Sequence, residues 1–222
     1  MKCLITGCPR SGTRYISDVL ITAGKDVPHE CRIGEDGIVS WYMFPTITNE
    51  AKIHQYRNFK LIKDEGKTHV LRRPCHFDVP VPTVEVKSGL KILHQIREPL
   101  STISSIPKLF PRSHEWACGF IPYKGGDSQL LRFMKMWFHI NKMVEKEAVF
   151  SYRIENLENV LDEFCKHVCI DKDDFRIAAG KVSKKKNTRH RKTPYTWKQL
   201  EYEDKNLTEK IIVLAKKYGY TF

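Results

Sequence analysis

The first 24 residues constrain the fold most, because an apolar segment runs through a glycine-bounded turn into an amphipathic segment. The apolar run KCLIT at 2–6 predicts a short strand that is buried on both faces. Apolar residues at helical spacing over 13–23, followed by Gly24, predict a helix that ends there. The turn between them begins at Gly7 and ends at Gly12. A strand, a tight turn and a helix in this order are typical of the first unit of an α/β sheet.

Segments typical of strands and helices continue to alternate along the chain. Further strands are predicted at 68–74, 90–99 and 148–157, and helices at 100–106, 128–147, 157–168 and 207–218. The segment 26–45 is interpreted as a loop that closes with an aromatic cluster. No repeat or linker divides the sequence. We therefore expect one domain over residues 1–222, a three-layer α/β/α fold with a mainly parallel central sheet.

The chain carries a strong excess of positive charge. Lys and Arg number 38 and Asp and Glu number 26, so the formal net charge is +12. Much of this excess falls within the segment 181–198. Such a balance favours an anionic partner, whether a nucleotide, another polyanion or an acidic surface.

Cysteine usage and hydropathy bear on the compartment and on metals. The seven cysteines contain no CxxC pair, which favours reduced thiols over a metal site or a disulfide framework. We therefore predict no metal. No apolar run reaches the length of about eighteen residues that a membrane span needs. The first predicted strand begins near Lys2 and leaves no room for a signal peptide, so we expect a cytoplasmic protein.

The turn after the first predicted strand has the features of a phosphate-binding loop. Backbone N–H groups of a tight turn point inward, and the positive end of the following helix adds to them. Gly12 lets the backbone approach a phosphate closely. The side-chain donors around the turn belong to Arg10, Ser11, Thr13 and Arg14. The glycine spacing by itself also occurs in ordinary turns between a strand and a helix.

This loop lacks two parts of a loop that hydrolyses ATP or GTP. Thr13 stands where such a loop has its lysine, and Arg14 stands where it has the hydroxyl that holds Mg²⁺. The strand predicted at 90–99 ends in Arg97, where a hydrolase would offer an aspartate. A donor that needs cationic side chains and no metal fits this pattern better.

At these residues the sequence resembles the sulfotransferases that use 3′-phosphoadenylyl sulfate (PAPS). Their loop for the 5′-phosphosulfate reads Pro-(Lys/Arg)-(Ser/Thr)-Gly-Thr, and it is matched by Pro9-Arg10-Ser11-Gly12-Thr13. The arginine version is similar to that of tyrosylprotein sulfotransferases and of many microbial ones. In the family a second signature, an arginine at a strand end and a serine eight residues later, grips the 3′-phosphate. Arg97 and Ser105 have this spacing.

The resemblance implies a P-loop-like fold, PAPS as the donor, 3′,5′-ADP as the product and no metal. It implies that the donor is bound by Pro9, Arg10, Ser11, Gly12, Thr13, Arg14, Arg97 and Ser105. The basic segment 184–200 resembles the late loop that closes over the donor in this family. By this resemblance Asn187 and Arg189 are also expected to bind the donor. That segment lacks the Arg-Lys-Gly pattern of the cytosolic enzymes. A solvated basic loop, or one that touches nucleic acid, is the alternative for it.

The resemblance also implies catalytic roles. Arg10 is expected to meet the bridging oxygen of the donor and to stabilise the departing 3′,5′-ADP as a permanent cation. Glu30 is the first candidate for the base, because the glutamate bases of tyrosylprotein and heparan-type sulfotransferases occupy a similar place. His76 is the rival, since cytosolic sulfotransferases carry a histidine base after the second strand, and His29 is a third candidate. Arg73, at the end of the second predicted strand, is expected to line the site.

The acceptor is expected to be a small molecule or a saccharide. A pocket shaped by the segment 108–127 and the aromatic cluster at 41–44 would suit a saccharide, a lipid headgroup, a phenol or a peptide tyrosine. The heparan-like aromatic run at 41–45 and the basic composition favour a saccharide. Two other classes of function stay open: a P-loop nucleotide kinase or NTPase relative that uses the same turn, and a nucleic-acid-binding module that uses 184–192. The sequence shows no stripe of interleaved basic and aromatic residues, so no specific nucleic acid is predicted.

Overall fold

The computed structural model describes most of the chain, namely residues 2–30, 33–41, 44, 90–106, 121–182 and 194–222. Between 61 and 81 it describes only the backbone of three short strands. Among the described elements, a helix follows the first strand, five strands then come one after another, two helices lead to the last strand, and helical elements follow it.

Two separate sheets are formed by the strands. In the described ranges the strands are β1 Lys2–Thr6, β2 Gly37–Val39, β3 Leu61–Lys63, β4 His69–Arg72, β5 Asp78–Val81, β6 Leu90–Ile96 and β7 Phe150–Arg153. One sheet is parallel throughout and has the order β2-β1-β6-β7. The other is antiparallel and has the order β3-β4-β5. The prediction of a mainly parallel central sheet is confirmed.

Helical elements follow β1, β6 and β7 of the parallel sheet. In the part of the chain that is described, the α-helices are α1 Thr13–Thr22, α2 Pro99–Ser105, α3 Gln129–Val144, α4 Leu161–Val168, α5 Lys172–Lys181, α6 Trp197–Glu203 and α7 Lys205–Lys217. A 3₁₀ segment, Ile154–Val160, leads from β7 to α4. Of these described helices, none is both long and apolar enough to cross a membrane.

Alternate residues of the parallel sheet face two different hydrophobic cores. In β1, Leu4 packs in the core that contains α2, α3, α6 and α7, while Cys3 and Ile5 pack in the core that contains α1, α4 and α5. Leu4 and Ile5 are fully buried, as expected for a parallel strand that is covered on both faces. The predicted three-layer α/β/α arrangement is therefore confirmed.

The strand predicted at 68–74 is confirmed, but it is not the second strand of the parallel sheet, which is β2. The strand in that segment is β4, which belongs to the antiparallel sheet. β2 lies inside 26–45, the segment interpreted from the sequence as a loop. A strand of three residues is too short to show a periodic pattern. Strand propensity also carries no information about which sheet a strand joins.

Most of the predicted helices are confirmed, one begins later than predicted, and two helices were not predicted. Four predicted helices are confirmed as α1, α2, α3 and α7, those at 13–23, 100–106, 128–147 and 207–218. The helix predicted at 157–168 is a 3₁₀ segment at first and becomes α-helical only at Leu161. Two further helices, α5 and α6, were not predicted from the sequence. The signal for α6 was present, because Thr196 and Gln199 form a capping box at its start.

The strand order places the point where the connections diverge beside the first turn. From β1 the chain passes through α1 to β2 on one side of β1, whereas β6 pairs with the other side. α1 packs on one face of the sheet, and α2 and α3, which follow β6, pack on the opposite face. In open α/β sheets, ligands bind where the connections diverge in this way, outside the carboxyl ends of the strands. The turn after β1 and the residues after β6 meet at this point.

Candidate active site

The turn after β1 starts with a close approach to β6. A Cβ atom on Gly7 would lie 2.0 Å from the backbone oxygen of Gln95. Only glycine leaves room for a backbone at this distance. The start of the turn therefore packs directly against the end of β6.

We expect Gly7→Ala to lower the free energy of unfolding by about 1–3 kcal/mol, because the added methyl group overlaps a backbone oxygen and a strand end must shift. Urea denaturation followed by circular dichroism measures the change. Gly126→Ala is the matched control, since a Cβ atom there meets no atom within 4 Å. Equal unfolding free energies for the two variants would contradict the close packing of the turn on β6.

The far end of the turn presents the amino terminus of α1. Gly12 is the N-cap residue with φ +94°, and no side chain caps the helix. Arg10 also has a left-handed backbone, with φ +73°. The first N–H groups of an α-helix lack partners within the helix and carry the positive end of its dipole. An anion bound at this turn would accept hydrogen bonds from them.

Two side chains from the end of β6 hold consecutive carbonyl groups of the turn. Gln95 Nε2 donates to the backbone oxygen of Ser11 at 2.7 Å, and Arg97 Nη1 donates to that of Arg10 at 3.0 Å. The Tyr152 hydroxyl in turn donates to Gln95 Oε1 at 2.7 Å. Arg97 was predicted from the sequence as a site residue, whereas Gln95 and Tyr152 were not. A polar side chain inside an apolar parallel strand is the signal that could have identified Gln95.

Arg10 and Arg97 bring two positive charges to the turn. Burial of the Arg10 side chain, and then the nearby charge of Arg97, lower the pKa of the Arg10 guanidinium below its usual value. The group stays cationic at neutral pH, because the ordinary pKa of arginine lies far above that range. A negatively charged ligand between the two guanidinium groups would stabilise the charged form of both. The arrangement therefore favours a ligand with several negative charges.

Two hydroxyl groups at the turn are buried and have no hydrogen-bond partner among the described residues. They belong to Thr6, at the end of β1, and to Ser11. Ser11 Oγ lies 3.4 Å from the place of a Cβ atom on Gly7, so it is close to the start of the turn. A buried hydroxyl without a partner costs free energy. A phosphate or sulfate oxygen that accepts from Ser11 would remove this cost, and in this respect the turn fits the predicted donor.

The structure places Arg14 differently from the other predicted loop residues. Arg14 Nε donates to Asp18 Oδ1 at 3.1 Å, one turn along α1, and its side chain is 53% exposed. Its guanidinium therefore lies along the exposed side of α1. Pro9 is buried and has no N–H group to donate. The predicted residues that supply backbone or side-chain donors around the turn are Arg10, Ser11, Gly12 and Thr13.

Two of the three candidate bases lie beside the turn. His29 Nε2 is 3.1 Å from Thr13 Oγ1 and 3.8 Å from Glu30 Oε1. The backbone N–H of Glu30 donates to the oxygen of Val39, at the end of β2, at 3.1 Å. The φ of Glu30 is +61°, which is uncommon for a residue with a side chain. Backbone strain of this kind clusters at active sites, and this observation favours a functional role for Glu30.

Ser105, the predicted partner of Arg97 at the 3′-phosphate, is buried in α2. Its hydroxyl lies 2.7 Å from the backbone oxygen of Ser101 and 2.9 Å from that of Thr102, and it donates within its own helix. A phosphate would need this O–H as a donor. The hydroxyl would therefore have to rotate away from the helix. A contact of Ser105 with the 3′-phosphate stays a prediction.

The backbone at Arg97 is braced by residues from the carboxyl-terminal part of the chain. Glu98 caps α2 with its side chain, and its own N–H donates to Glu155 Oε1 at 2.8 Å. The other oxygen of Glu155 accepts from the Tyr220 hydroxyl at 3.0 Å. Arg153 lies over the Tyr220 ring, 5.0 Å from its centroid, within the range of a cation–π contact. These contacts fix the direction in which the chain leaves β6.

Some predicted site residues lie outside the described residues, namely Arg73, His76, Asn187 and Arg189. Arg73 follows β4, and the prediction that this strand belongs to the parallel sheet is wrong. Within the described ranges, no group of three or more His, Cys, Asp or Glu side chains could hold a metal ion.

A cleft of about 420 Å³ lies elsewhere on the molecule, at the junction of α4 and α5, with Cys165, Lys166, Asp171 and Lys172 among its lining residues. No residue of the turn lines it. We assign the candidate site to the turn, because a helix amino terminus and two arginines there favour an anionic ligand, whereas a cleft volume alone indicates no ligand.

Comparisons with known proteins do not add a family assignment to this geometry. No family model matches the chain, and no curated protein matches it. The function is therefore inferred from the turn, the two arginines beside it and the candidate bases.

Proposed function

We propose that this protein is a sulfotransferase that moves a sulfuryl group from PAPS to an acceptor hydroxyl and releases 3′,5′-ADP. One observation carries the proposal: a turn with the sequence Pro-Arg-Ser-Gly-Thr ends at the uncapped amino terminus of α1 and is bonded to Arg97. The turn offers N–H donors, and Arg10 and Arg97 offer positive charge. A phosphosulfate group is recognised by donors and charges of these kinds.

In the proposed reaction the bond between sulfur and the bridging oxygen of the phosphosulfate breaks while a bond from sulfur to the acceptor oxygen forms. The bridging oxygen keeps the electron pair and leaves as part of the 5′-phosphate of 3′,5′-ADP. Arg10 stabilises the negative charge that develops on this oxygen. Glu30 takes the proton of the acceptor hydroxyl. As in phosphoryl transfer, much of the rate enhancement comes from holding the two partners in line.

Glu30 is the proposed base because of its position and its partial exposure. Its side chain is 21% exposed, so an acceptor can reach the carboxylate. His29 lies between Glu30 and Thr13 of the turn and is the alternative base. His76 stays a further candidate. The acceptor is proposed to be a small molecule or a saccharide, and the net charge of +12 favours an acceptor that is itself anionic.

Isothermal titration calorimetry without added metal tests the donor site. We expect 3′,5′-ADP to bind more tightly than 5′-AMP, and Arg97→Ala to weaken 3′,5′-ADP binding by roughly 10- to 100-fold, since a charge-assisted contact is lost. Ser105→Ala is expected to weaken the binding of 3′,5′-ADP but not that of 5′-AMP. Arg176→Ala, which removes an exposed arginine paired with Glu158, is the matched control and should bind like the wild type.

Three results would contradict the proposal. Equal affinity of the wild type for 3′,5′-ADP and 5′-AMP would show that the protein does not recognise the 3′-phosphate. Turnover of ATP that depends on Mg²⁺ would favour a nucleotide kinase. Steeply salt-dependent binding to DNA or RNA that Arg97→Ala leaves unchanged would favour a nucleic-acid-binding module. Transfer itself is measured with radiolabelled PAPS over pools of saccharide and phenol acceptors.

A further inference from the structure

We propose that Gln95, held in place by Tyr152, is a positioning residue that aims the backbone N–H of Gly12 at the 5′-phosphosulfate of the donor. The inference rests on the proposed function, because it concerns the same turn. It assigns a role to two buried side chains that belong to neither of the sequence motifs.

The contacts that carry the inference form a chain of hydrogen bonds across two strands. The Tyr152 hydroxyl donates to Gln95 Oε1, and Gln95 Nε2 donates to the oxygen of Ser11, each at 2.7 Å. Gln95 and Tyr152 are register partners on the parallel strands β6 and β7. Gln95 is 0% exposed and Tyr152 is 3% exposed, so bulk water does not compete for these bonds. Buried polar groups of this kind are oriented by their partners.

Each partner determines how the Gln95 amide is oriented. The Ser11 carbonyl can only accept, so the NH₂ group of Gln95 has to face the turn. The amide oxygen then faces Tyr152, which has to be a donor. Burial raises the pKa of the Tyr152 hydroxyl well above its ordinary value, and the hydroxyl therefore keeps its proton. The chain of donors consequently runs in one direction, from Tyr152 to the turn.

The geometry of the peptide bond converts this contact into the orientation of a donor. In a trans peptide the C=O and the N–H point in opposite directions. The Ser11 oxygen points to Gln95. The N–H of the same peptide unit belongs to Gly12, and it therefore points away from Gln95. An anion that accepts from this N–H would lie on that side of the turn, beside the helix of which Gly12 is the N-cap residue.

The neighbouring peptide unit does a different task. Arg97 holds the Arg10 oxygen, and the N–H that follows, that of Ser11, donates to the Cys8 oxygen at 3.1 Å and closes the turn. Gly12 thus supplies the amide that Gln95 can aim at a ligand. Gln95 also draws the Ser11 oxygen, the negative end of a carbonyl dipole, to the side away from the anion. Gln95 therefore turns the Ser11 carbonyl oxygen away from the anion and directs the Gly12 N–H toward it.

Calorimetry with two nucleotides tests this role. Gln95→Met keeps the size of the side chain and removes the donor. We expect it to weaken the binding of 3′,5′-ADP by about 10-fold, equivalent to about 1.4 kcal/mol, and to leave the binding of adenosine 3′-monophosphate unchanged, since that ligand lacks the 5′-phosphate. Tyr152→Phe should act in the same direction, and the double variant should lose no more than Gln95→Met alone.

His94→Leu is the matched control on the same strand. His94 bonds to Asn141 in the opposite core, so the change is expected to lower stability without weakening the binding of 3′,5′-ADP by folded protein. Urea denaturation reports the stability of each variant. Unchanged affinity of Gln95→Met for 3′,5′-ADP would overturn the inference. An equal loss of affinity for both nucleotides would overturn it as well, because it would indicate a general structural role.

Inorganic pyrophosphate separates this inference from the proposed function. If the wild type does not prefer 3′,5′-ADP to 5′-AMP, the proposed function fails. The wild type and the same variants are then titrated with pyrophosphate, whose binding requires the turn but no site for a 3′-phosphate. Weaker binding of pyrophosphate by Gln95→Met would still support the role of Gln95. Absence of pyrophosphate binding by the wild type, or equal binding by the variant, would overturn that role.

Discussion

Glu30→Gln is expected to lower the rate of sulfuryl transfer by roughly 10²–10⁴-fold, the contribution typical of a general base. Glutamine keeps the size of the side chain, but it cannot take the proton of the acceptor hydroxyl. The left-handed backbone at this position, with φ +61°, is no more strained with glutamine than with glutamate. The rate is measured with radiolabelled PAPS at a saturating concentration of donor. Affinity for 3′,5′-ADP should be unchanged, because the Glu30 side chain is not a donor of the turn.

His29→Gln distinguishes the two neighbouring candidates for the base. His29 contacts Thr13 of the turn at 3.1 Å, so its replacement is expected to weaken the binding of 3′,5′-ADP as well as to slow transfer. Glu30→Gln should slow transfer alone. Undiminished transfer by Glu30→Gln would eliminate Glu30 as the base, and His29→Gln and His76→Ala would then be compared for the same loss of rate.

Arg10→Ala is expected to lower the rate of transfer by roughly 10²–10³-fold, the loss typical when one group that stabilises the developing charge is removed. The contact from Arg97 to the turn should persist, because it is made to the backbone oxygen of residue 10. Alanine bears the same strain as arginine at φ +73°. The free energy of unfolding should therefore change little, and urea denaturation checks this alongside kcat/KM for PAPS.

The control for Arg10→Ala is Arg176→Ala, which removes a guanidinium from an exposed ion pair with Glu158 on the 3₁₀ segment. It should retain the wild-type rate, since exposed pairs of this kind contribute little. Equal rates for the two variants would refute an electrostatic role of Arg10. A large loss of stability in Arg10→Ala would instead assign the residue to the structure of the turn.

The amino-terminal turn could be predicted because its signals lie close together in the sequence. The first 24 residues contain an apolar run, a turn bounded by two glycines, and apolar residues at helical spacing. Each of these features determines the local conformation of the chain, so a short stretch of sequence is enough to recognise it. β6 and α3 were predicted for the same reason, since both are long and regularly patterned. Arg97 was identified because it directly follows such a strand.

The sheet partners of the shorter strands could not be predicted in this way. β2 has three residues, and Gly37 at its start packs so closely on β1 that a Cβ atom would lie 1.9 Å from the oxygen of Cys3. β4 has strand-forming residues, but it pairs with β3 and β5 rather than with the parallel sheet. Which strands pair depends on which of them meet in three dimensions. The strand propensity of a segment does not specify its partner strand.

By itself the sequence determined that a glycine-bounded turn follows the first strand and leads into a helix, because the turn, its glycines and the helix start are local features. Only the tertiary structure decided which way the peptide groups of that turn face. Ser11 and Gln95 are 84 residues apart, and Gln95 and Tyr152 are 57 residues apart. Their hydrogen bonds exist because parallel pairing brings the ends of β1, β6 and β7 side by side, and contacts at such separations leave no spacing pattern in a sequence.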